Sequence, residues 1–333
     1  MILPPRLRPG DKMAVFSPSS PATVTAKKRY QRGKSYLEKK GFVFQEGILT
    51  GKQDFYRSGS IVQRTEELNR LIHDDSVKCI MAAIGGMNSN SLLPYIDYEY
   101  LAKHPKIIIG YSDVTALLLG IYARTGLVTF YGLVAAASFG ELPPFVDLTW
   151  QYFQDICMGN AEIPWEFPMP EFWTDEFIPW DTQDRGKEKY KNQMITVSSG
   201  KVSGRLIGGN LNTMEGFWGS PYMPEIEEGD ILFIEDSLKD AATVERSFSL
   251  LKVNGVFDKA GGILLGKHEK FDDCQTGRKP YQILQEVLGD CPIPVLAEFD
   301  CCHTHPMLTM PLGCRVELDA DRQKVTLLEN PVL

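Results

Sequence analysis

Ser112 stands where a buried strand meets a helix. The segment IIIGYSDVTALLLG predicts a strand that ends at Gly110, a turn at residues 111–113 and a helix that begins at once. A serine at such a turn projects as the nucleophile of a hydrolase does, and the helix N-terminus offers backbone N–H groups to a developing oxyanion. The pattern lacks the second glycine of G-x-S-x-G. A serine or aspartate that merely caps the helix is therefore the competing interpretation.

Two glycines, Gly85 and Gly86, end another apolar run in AAIGGMNSNSLLPYID. Backbone N–H groups exposed at such a turn could form half of an oxyanion hole or hold a small anion. A turn that only requires a positive φ angle is the alternative. The segment matches neither G-x-G-x-x-G nor the P-loop pattern, so it carries no nucleotide fingerprint.

A pair of carboxylates follows the apolar strand in DILFIEDSLKDAATVERSF, with Glu235 and Asp236 at its end. The acid partner of a catalytic histidine is expected at such a strand end, whereas two solvated carboxylates that cap the next helix are the structural alternative. Alternation along an extended chain sends the two side chains in opposite directions. Lys239 is either a surface lysine or a ligand for a substrate phosphate or carboxylate.

Two of the five histidines, His303 and His305, follow a strand in PVLAEFDCCHTHPMLTMPLG. Their i, i+2 spacing would suit a metal ion, but neither H-E-x-x-H nor a third clustered ligand is visible. We therefore favour a catalytic base and expect no metal. Cys302 as a nucleophile is disfavoured, because it would point away from His303 on an extended segment. Ser, acid and His then follow the chain order of α/β-hydrolases.

The elements that must position these residues divide the chain into three parts. Residues 1–140 alternate continuous apolar strands with helical segments, which predicts a mostly parallel sheet covered on both faces. Residues 141–200, rich in Pro, Trp and charged residues, are predicted to form a helix and a long irregular or hairpin connection. Residues 201–333 carry short strands and two helical segments, typical of a smaller mixed α+β or barrel-like domain. The fold class is therefore α/β with two domains.

Composition limits the partners. The 333 residues exceed what one hydrophobic core usually supports, and the net charge of −8 argues against a nucleic-acid polymer as partner. The N-terminal segment has no signal-peptide pattern, and the apolar runs are too short to span a bilayer, so we expect a cytoplasmic protein without a membrane partner. Seven cysteines, most of them widely spaced apart from the adjacent Cys301 and Cys302, indicate free thiols in a reducing compartment.

Five motifs occur in the order found in the serine LD-carboxypeptidase family, namely AAIGGMNSNSLLPYID, GYSDVTAL, GRLIGGNLNTM, FIEDSL and CHTHPMLTMPLG. The chain resembles that family over nearly its whole length. The resemblance implies a flavodoxin-like N-terminal domain that carries the nucleophile, a C-terminal domain that carries the acid and the histidine, and a cytoplasmic homodimer. No cofactor is expected.

Carried over to this chain, the resemblance assigns the nucleophile to Ser112, the acid to Glu235 and the base to His303. It also implies that the backbone N–H groups of Gly86 and Asp113 form the oxyanion hole. His305 stands where the family often has Asp, so it is not the expected base. The turn G-G-M-N replaces the G-G-Y-G usual among murein tetrapeptide carboxypeptidases.

The tryptophan-rich insertion around residues 165–185 and the run E-D-S-L-K resemble the microcin C self-immunity branch of the family. That branch cleaves the amide between an aminoacyl group, typically aspartyl, and a modified nucleotide. We expect Trp180 to stack on the base, with Trp173 and Phe177 as further candidates, and Lys239 to pair with the phosphate. Aromatic side chains that only anchor the loop to the core are the equal alternative.

Three other functions remain open. The main alternative is cleavage of an L-D peptide bond in murein tetrapeptide, where a cation would bind the terminal carboxylate. A degenerate relative that only binds a peptide-nucleotide or muropeptide is the second. A metalloenzyme is the third.

Overall fold

The computed structural model describes residues 1–301 and 303–333, so Cys302 lies outside the described residues. The strands, in chain order, are β1 (Lys12–Phe16), β2 (Val43–Glu46), β3 (Val77–Ala82), β4 (Ile107–Gly110), β5 (Thr129–Tyr131), β6 (Trp165–Glu166), β7 (Phe172–Trp173), β8 (Tyr190–Lys191), β9 (Ile195–Ser198), β10 (Lys201–Asn210), β11 (Ile231–Glu235), β12 (Gly262–Gly266), β13 (Val295–Phe299), β14 (Met310–Leu312), β15 (Arg315–Asp319) and β16 (Lys324–Leu327).

The α-helices, in chain order, are α1 (Ala22–Thr25), α2 (Lys27–Lys39), α3 (Ile61–His73), α4 (Tyr98–Lys103), α5 (Thr115–Thr125), α6 (Phe145–Cys157), α7 (Leu211–Glu215), α8 (Ala241–Val253), α9 (Val256–Lys259) and α10 (Pro280–Leu288). Two 3-10 turns lie at Ser89–Tyr95 and Ser112–Val114. In the part of the chain that the structure describes, no helix has both the length and the apolar character needed to cross a membrane.

The first sheet has the strand order β2-β1-β3-β4-β5, and these strands are parallel. This is the order of a flavodoxin-like fold. The strands are apolar on both faces because helices cover both sides, and every residue of β4 is buried. The predicted flavodoxin-like N-terminal sheet is confirmed.

The second sheet has the order β6-β16-β15-β10-β11-β12-β13-β9. Its central strands β10 to β13 are parallel, while β15, β16, β6 and β9 pair in antiparallel fashion. The predicted second domain of mixed α and β structure is therefore confirmed as one mixed sheet, and the fold class is α/β.

Some strands cross the predicted domain boundaries. β14 pairs with β5 at the edge of the first sheet, although it comes from the last third of the chain. The segment 141–200 forms α6 and the β7–β8 hairpin, and its strands β6 and β9 close the two edges of the second sheet. Boundaries at residues 140 and 200 stay a prediction.

The carboxyl ends of parallel strands position the candidate chemistry. Ser112 lies two residues beyond β4, Glu235 is the last residue of β11, and His303 follows β13. Side chains beyond the carboxyl ends of parallel strands commonly form the binding site of such sheets.

Candidate active site

The turn after β4 presents Ser112 in a strained backbone conformation. Its φ angle is +62°, a region that residues with a side chain rarely adopt. A short 3-10 turn and then α5 follow directly, so the backbone reverses within a few residues. Strain of this kind is typical of a nucleophile elbow, because the sharp turn exposes the serine hydroxyl above the sheet.

Glu235 is fully buried, and three side chains contact its carboxylate. His303 Nδ1 lies 2.7 Å from Oε2, while Tyr131 Oη and Asn210 Nδ2 donate to Oε1 at 2.5 and 3.0 Å. Burial would raise the pKa of Glu235, but His303 and the hydrogen bonds outweigh it and lower the pKa. The carboxylate is therefore charged at neutral pH and acts as an acceptor only.

His303 faces this carboxylate with one ring nitrogen. Because a carboxylate only accepts, Nδ1 carries the proton and Nε2 keeps its lone pair. The edge of the Tyr111 ring packs against the imidazole at a centroid distance of 4.8 Å. Burial would lower the pKa of His303, but the charge of Glu235 and its hydrogen bond outweigh burial and raise the pKa above its ordinary value of 6.5.

Asp236 contacts a different part of the fold from Glu235. Its Oδ2 accepts the backbone N–H of Asn212 in the first turn of α7 at 3.1 Å, and Oδ1 accepts the N–H of Ser237 at 3.0 Å. Burial and the nearby charge of Glu235 raise the pKa of Asp236 to about 6. Strand alternation thus directs Glu235 to the histidine and Asp236 to the neighbouring helix.

The Gly85–Gly86 turn lies against the serine turn. A Cβ at Gly85 would lie 2.9 Å from Ser112 Cβ and 3.2 Å from the Asp113 nitrogen, so only glycine permits this approach. The buried Asp113 carboxylate accepts the backbone N–H groups of Asn88 and Ser89 at 3.1 and 2.9 Å. The Asp113 side chain therefore fixes the glycine turn beside its own backbone N–H.

One cavity of about 580 Å³ opens over these groups. Of the residues expected at the site from the sequence, the cavity wall includes Ser112, His303, Gly86, Trp180, Phe177 and Lys239. Glu235 and Asp113 lie behind that wall as buried supports. Trp173 lines a neighbouring cavity instead, so the structure separates it from Trp180.

Two models of protein families match this chain and identify its family. The model of the LD-carboxypeptidase N-terminal domain matches residues 13–132, and that of the LD-carboxypeptidase C-terminal domain matches residues 203–318. The chain belongs to the LD-carboxypeptidase family. It is therefore a serine peptidase by family, as its sequence resemblance predicted.

Several relatives match this chain over nearly their whole length. A putative carboxypeptidase of Vibrio cholerae is 58% identical over 318 residues, which cover 96% of this chain and 95% of the relative. The microcin C7 self-immunity protein MccF of Escherichia coli is 54% identical over 323 residues, which cover 96% and 94%. A probable murein peptide carboxypeptidase of Bacillus subtilis is 29% identical over 338 residues, which cover 99% and 95%.

Solved structures of MccF superpose closely on this chain. The wild-type apo form has a TM-score of 0.98 at 53% identity, with both chains covered completely. A complex of MccF with aspartyl sulfamoyl adenosine has a TM-score of 0.97 at 53% identity, again with full coverage of both chains. MccF has also been solved with glutamyl sulfamoyl guanosine.

Two residues that contact Glu235 were not predicted from the sequence. Tyr131 ends β5 and Asn210 ends β10, and both side chains are buried against Glu235. A polar residue at the end of an apolar parallel strand was the available signal. The two motifs LVTFYG and GRLIGGNLNTM carry it.

A buried cluster behind Trp180 was missed as well. Glu141 contacts Arg29 Nη2 at 2.6 Å, Lys187 Nζ at 3.3 Å and His305 Nε2 at 3.6 Å. The Arg29 guanidinium lies over the Trp180 ring, 4.9 Å from its centroid. His305 thus faces Glu141 while His303 faces another carboxylate. Because the four charged or polar groups come from separate segments, no local sequence pattern predicts the cluster.

Proposed function

We propose that the chain is a serine amidase in which Ser112 is the nucleophile, His303 the base and Glu235 the residue that orients the base. The observation that carries this proposal is the 2.7 Å contact between His303 Nδ1 and Glu235 Oε2, beside a serine held at φ +62° in the same cavity. Glu235 fixes the tautomer in which Nε2 can accept the serine proton.

The reaction follows from these roles. Ser112 Oγ attacks the amide carbonyl carbon while His303 Nε2 takes the hydroxyl proton. The oxyanion is stabilised by the backbone N–H groups of Gly86 and Asp113. The imidazolium then donates its proton to the leaving nitrogen, and an acyl-enzyme forms. Water, deprotonated by His303, attacks the ester and releases the acid and Ser112.

The substrate we propose is an acidic aminoacyl group joined by an amide to a modified nucleotide. MccF, with which the chain shares 54% identity, has been solved with aspartyl and glutamyl sulfamoyl nucleosides. The cavity offers the Trp180 ring as a surface for a base and Lys239 as a cation for the phosphate or its sulfamoyl substitute. Cleavage would give immunity to microcin C-like toxins.

The Arg29–Glu141 pair supports this assignment of Trp180. A guanidinium on one face of an indole fixes the ring, so its remaining surface is preorganised for stacking. Phe177 also lines this cavity and is 66% exposed, so a ligand bound there would cover part of its ring. The family resemblance further leads us to propose that the protein is cytoplasmic and forms a homodimer. Sedimentation equilibrium would test the homodimer.

The experiment compares two substrates on the purified protein, with Ser112→Ala as control. Aspartyl sulfamoyl adenosine should be hydrolysed to aspartate and sulfamoyl adenosine, and Ser112→Ala should bind it without turnover. Hydrolysis of murein tetrapeptide alone would assign the chain to the alternative function. Binding of either compound without turnover by the wild-type protein would indicate a binding protein, and turnover that chelation abolishes would indicate a metalloenzyme.

A further inference from the structure

A fully buried arginine lies behind the Gly85–Gly86 turn and takes no direct part in the proposed reaction. Arg64, in the first turn of α3, is 1% exposed and stands behind the wall of the active-site cavity. Its guanidinium donates hydrogen bonds to the Gly59 carbonyl at 3.0 Å, the Pro18 carbonyl at 2.6 Å and Ser91 Oγ at 3.3 Å. These acceptors belong to three separate segments of the chain.

Asn88 is the residue that Arg64 holds at two atoms. Arg64 Nη1 donates to the side-chain oxygen of Asn88 at 2.7 Å and to its backbone carbonyl at 3.3 Å. Asn88 lies two residues beyond Gly86, where the glycine turn leads into the 3-10 turn Ser89–Tyr95. Arg64 therefore ties this segment to the loop after β1 and to the start of α3.

The hydrogen bonds of Arg64 in the described chain all go to neutral oxygens, so no ion pair explains why a guanidinium is buried here. Burial lowers the pKa of Arg64 and the charge of Arg57 lowers it further, while the charge of Asp113 raises it. A buried cation costs free energy unless its donors are satisfied. A planar guanidinium reaches several acceptors at fixed angles, whereas lysine presents its donors from a single nitrogen. The fork geometry, rather than charge alone, fits this position.

The backbone from Gly86 to Asn88 is held by two further side chains. Ser19 Oγ accepts the N–H groups of Met87 and Asn88 at 3.0 and 3.2 Å and donates to the Asn88 side-chain oxygen at 3.0 Å. Asp113 Oδ2 also accepts the Asn88 N–H, at 3.1 Å. A Cβ at Gly86 would clash with Ser19 Oγ, so the turn packs directly on this serine. Asn88 is thus fixed at its N–H, its carbonyl and its side chain.

The two N–H groups that we propose for the oxyanion hole are connected through Asn88. One belongs to Gly86, two residues before Asn88, and the other belongs to Asp113, whose carboxylate binds the Asn88 N–H. Arg64 binds Asn88 at its two oxygens. A rotation of Asn88 would therefore move one donor relative to the other. Donors of an oxyanion hole must already point at the developing charge when the reaction begins, so this separation matters for the rate.

We propose that Arg64 is a positioning residue, which binds Asn88 and thereby holds the Gly86 N–H at the distance from the Asp113 N–H that the oxyanion requires. This inference rests on the proposed function. Arg64 is buried behind the cavity wall, so it acts through the turn and not by contact with the substrate. A misplaced donor is felt only when charge develops on the carbonyl oxygen. Loss of Arg64 should therefore lower kcat and leave KM nearly unchanged.

Arg64→Lys keeps the positive charge and removes the fork. It should lower kcat on aspartyl sulfamoyl adenosine roughly 10- to 100-fold, because a small displacement of a catalytic group has an effect of this size. An aldehyde analogue of the aspartyl group gives a direct measure of the oxyanion hole. Ser112 Oγ adds to its carbonyl carbon and His303 takes the hydroxyl proton, so the adduct carries an oxyanion. Its inhibition constant should rise by a similar factor, while the dissociation constant of adenosine monophosphate stays the same.

Asn88→Ala tests the same contact without altering a buried charge. It removes the side-chain oxygen that Arg64 and Ser19 share and should also lower kcat rather than raise KM. Because both substitutions break one contact, their effects should not add. The double variant Arg64→Lys/Asn88→Ala should lose about as much activity as the more impaired single variant. Fully additive losses in kcat would overturn the inference.

Arg205→Lys is the matched control. Arg205 lies in β10 and binds both carboxylate oxygens of Asp230, at 3.0 and 2.7 Å, away from the active-site cavity. Urea unfolding should show that this variant loses stability, whereas its kcat and its inhibition by the aldehyde should match the wild type. An equal loss of kcat in Arg205→Lys and Arg64→Lys would attribute the effect to stability and would overturn the inference.

The remaining outcomes separate the inference from the proposed function. Wild-type kcat and wild-type aldehyde inhibition in Arg64→Lys would overturn the inference and leave the proposed function intact. A parallel loss of affinity for the aldehyde and for adenosine monophosphate would indicate a general distortion of the cavity and would also overturn it. If Arg64→Lys does not fold, the kcat and the aldehyde inhibition of Asn88→Ala decide in its place. Failure of the wild-type protein to cleave aspartyl sulfamoyl adenosine would overturn both proposals.

Discussion

Tyr131 and Glu235 are joined by a hydrogen bond of 2.5 Å, and the same phenol oxygen accepts the backbone N–H of Ser112 at 3.2 Å. One buried hydroxyl therefore links the Ser112 turn of the first sheet to Glu235 of the second. Burial and the Glu235 charge raise the pKa of Tyr131 well above its ordinary value, so the phenol stays protonated and donates to the carboxylate. The relative position of serine and acid depends on this bridge.

Tyr131→Phe should lower kcat roughly 10- to 100-fold, because it removes a hydrogen bond to a buried charge and leaves the Ser112 N–H without its acceptor. KM should change little, since Tyr131 is buried away from the cavity. Steady-state kinetics on aspartyl sulfamoyl adenosine measure both constants. Tyr98→Phe is the matched control, because its hydroxyl donates to the Leu93 carbonyl instead. Equal losses in the two variants would refute the bridge.

Exchange of one carboxylate for an amide should distinguish the role of Glu235 from that of Asp236. Glu235→Gln should lower kcat about a thousandfold to ten-thousandfold, because an amide no longer fixes the tautomer of His303. Asp236→Asn should cost far less activity and should mainly destabilise the start of α7, whose N–H it accepts. Kinetics and thermal melting of the two variants make the comparison. A larger kinetic loss in Asp236→Asn would reverse the assignment.

The plot of kcat/KM against pH should fall on the acid side, with a midpoint above pH 6.5. His303 must be neutral to accept the serine proton, and Glu235 holds its pKa above the ordinary value despite burial. Activity is therefore lost as the pH falls through this raised pKa and reaches a plateau above it. The dependence of kcat/KM on pH reports the free enzyme. An acid limb well below pH 6.5 would mean that His303 is not the group that titrates.

Trp180→Ala should weaken binding of a nucleotide product by roughly 10- to 100-fold, because stacking on an aromatic ring contributes about 1–3 kcal/mol per base. Trp180→Phe should restore most of the affinity. Calorimetric titration with adenosine monophosphate measures the dissociation constants. Trp165→Phe is the matched control, because Trp165 packs against Phe167 at the edge of the second sheet. Unchanged binding in Trp180→Ala would leave Trp180 as an anchor for its loop.

Sequence patterns predicted the local elements and failed at contacts between distant segments. Apolar runs with glycine ends predicted β4 and its turn, because strand burial and turn conformation depend on neighbouring residues. Trp173 was kept as a further candidate after Trp180, since their separation into two cavities depends on where the β7–β8 hairpin packs. Tyr131 was missed because its partners are distant in sequence: Ser112 lies in the turn after β4 and Glu235 ends β11.

The buried cluster around Glu141 should make the protein sensitive to acid. Burial would raise the pKa of Glu141, but His305, Arg29 and Lys187 outweigh it and lower the pKa from 4.5 to about 2. A carboxyl with a lowered native pKa stabilises the fold above its unfolded pKa. That contribution is lost as the pH falls from about 4.5 towards 2. It is no more than about 3 kcal/mol, because burial lowers the pKa of His305 well below 6.5 and leaves its ring neutral at neutral pH.

Glu141→Gln should therefore be less stable than the wild type by about 3 kcal/mol or more at pH 7, because Arg29 and Lys187 remain buried without their carboxylate. The difference should shrink as the pH falls below about 4.5, since the wild-type carboxyl is then losing its own charge. Urea unfolding at a series of pH values measures both curves. Glu46→Gln is the control, because its ion pair with Lys34 is partly exposed and should contribute little at any pH. A stability difference that stays constant down to pH 2 would contradict the assigned charge of Glu141.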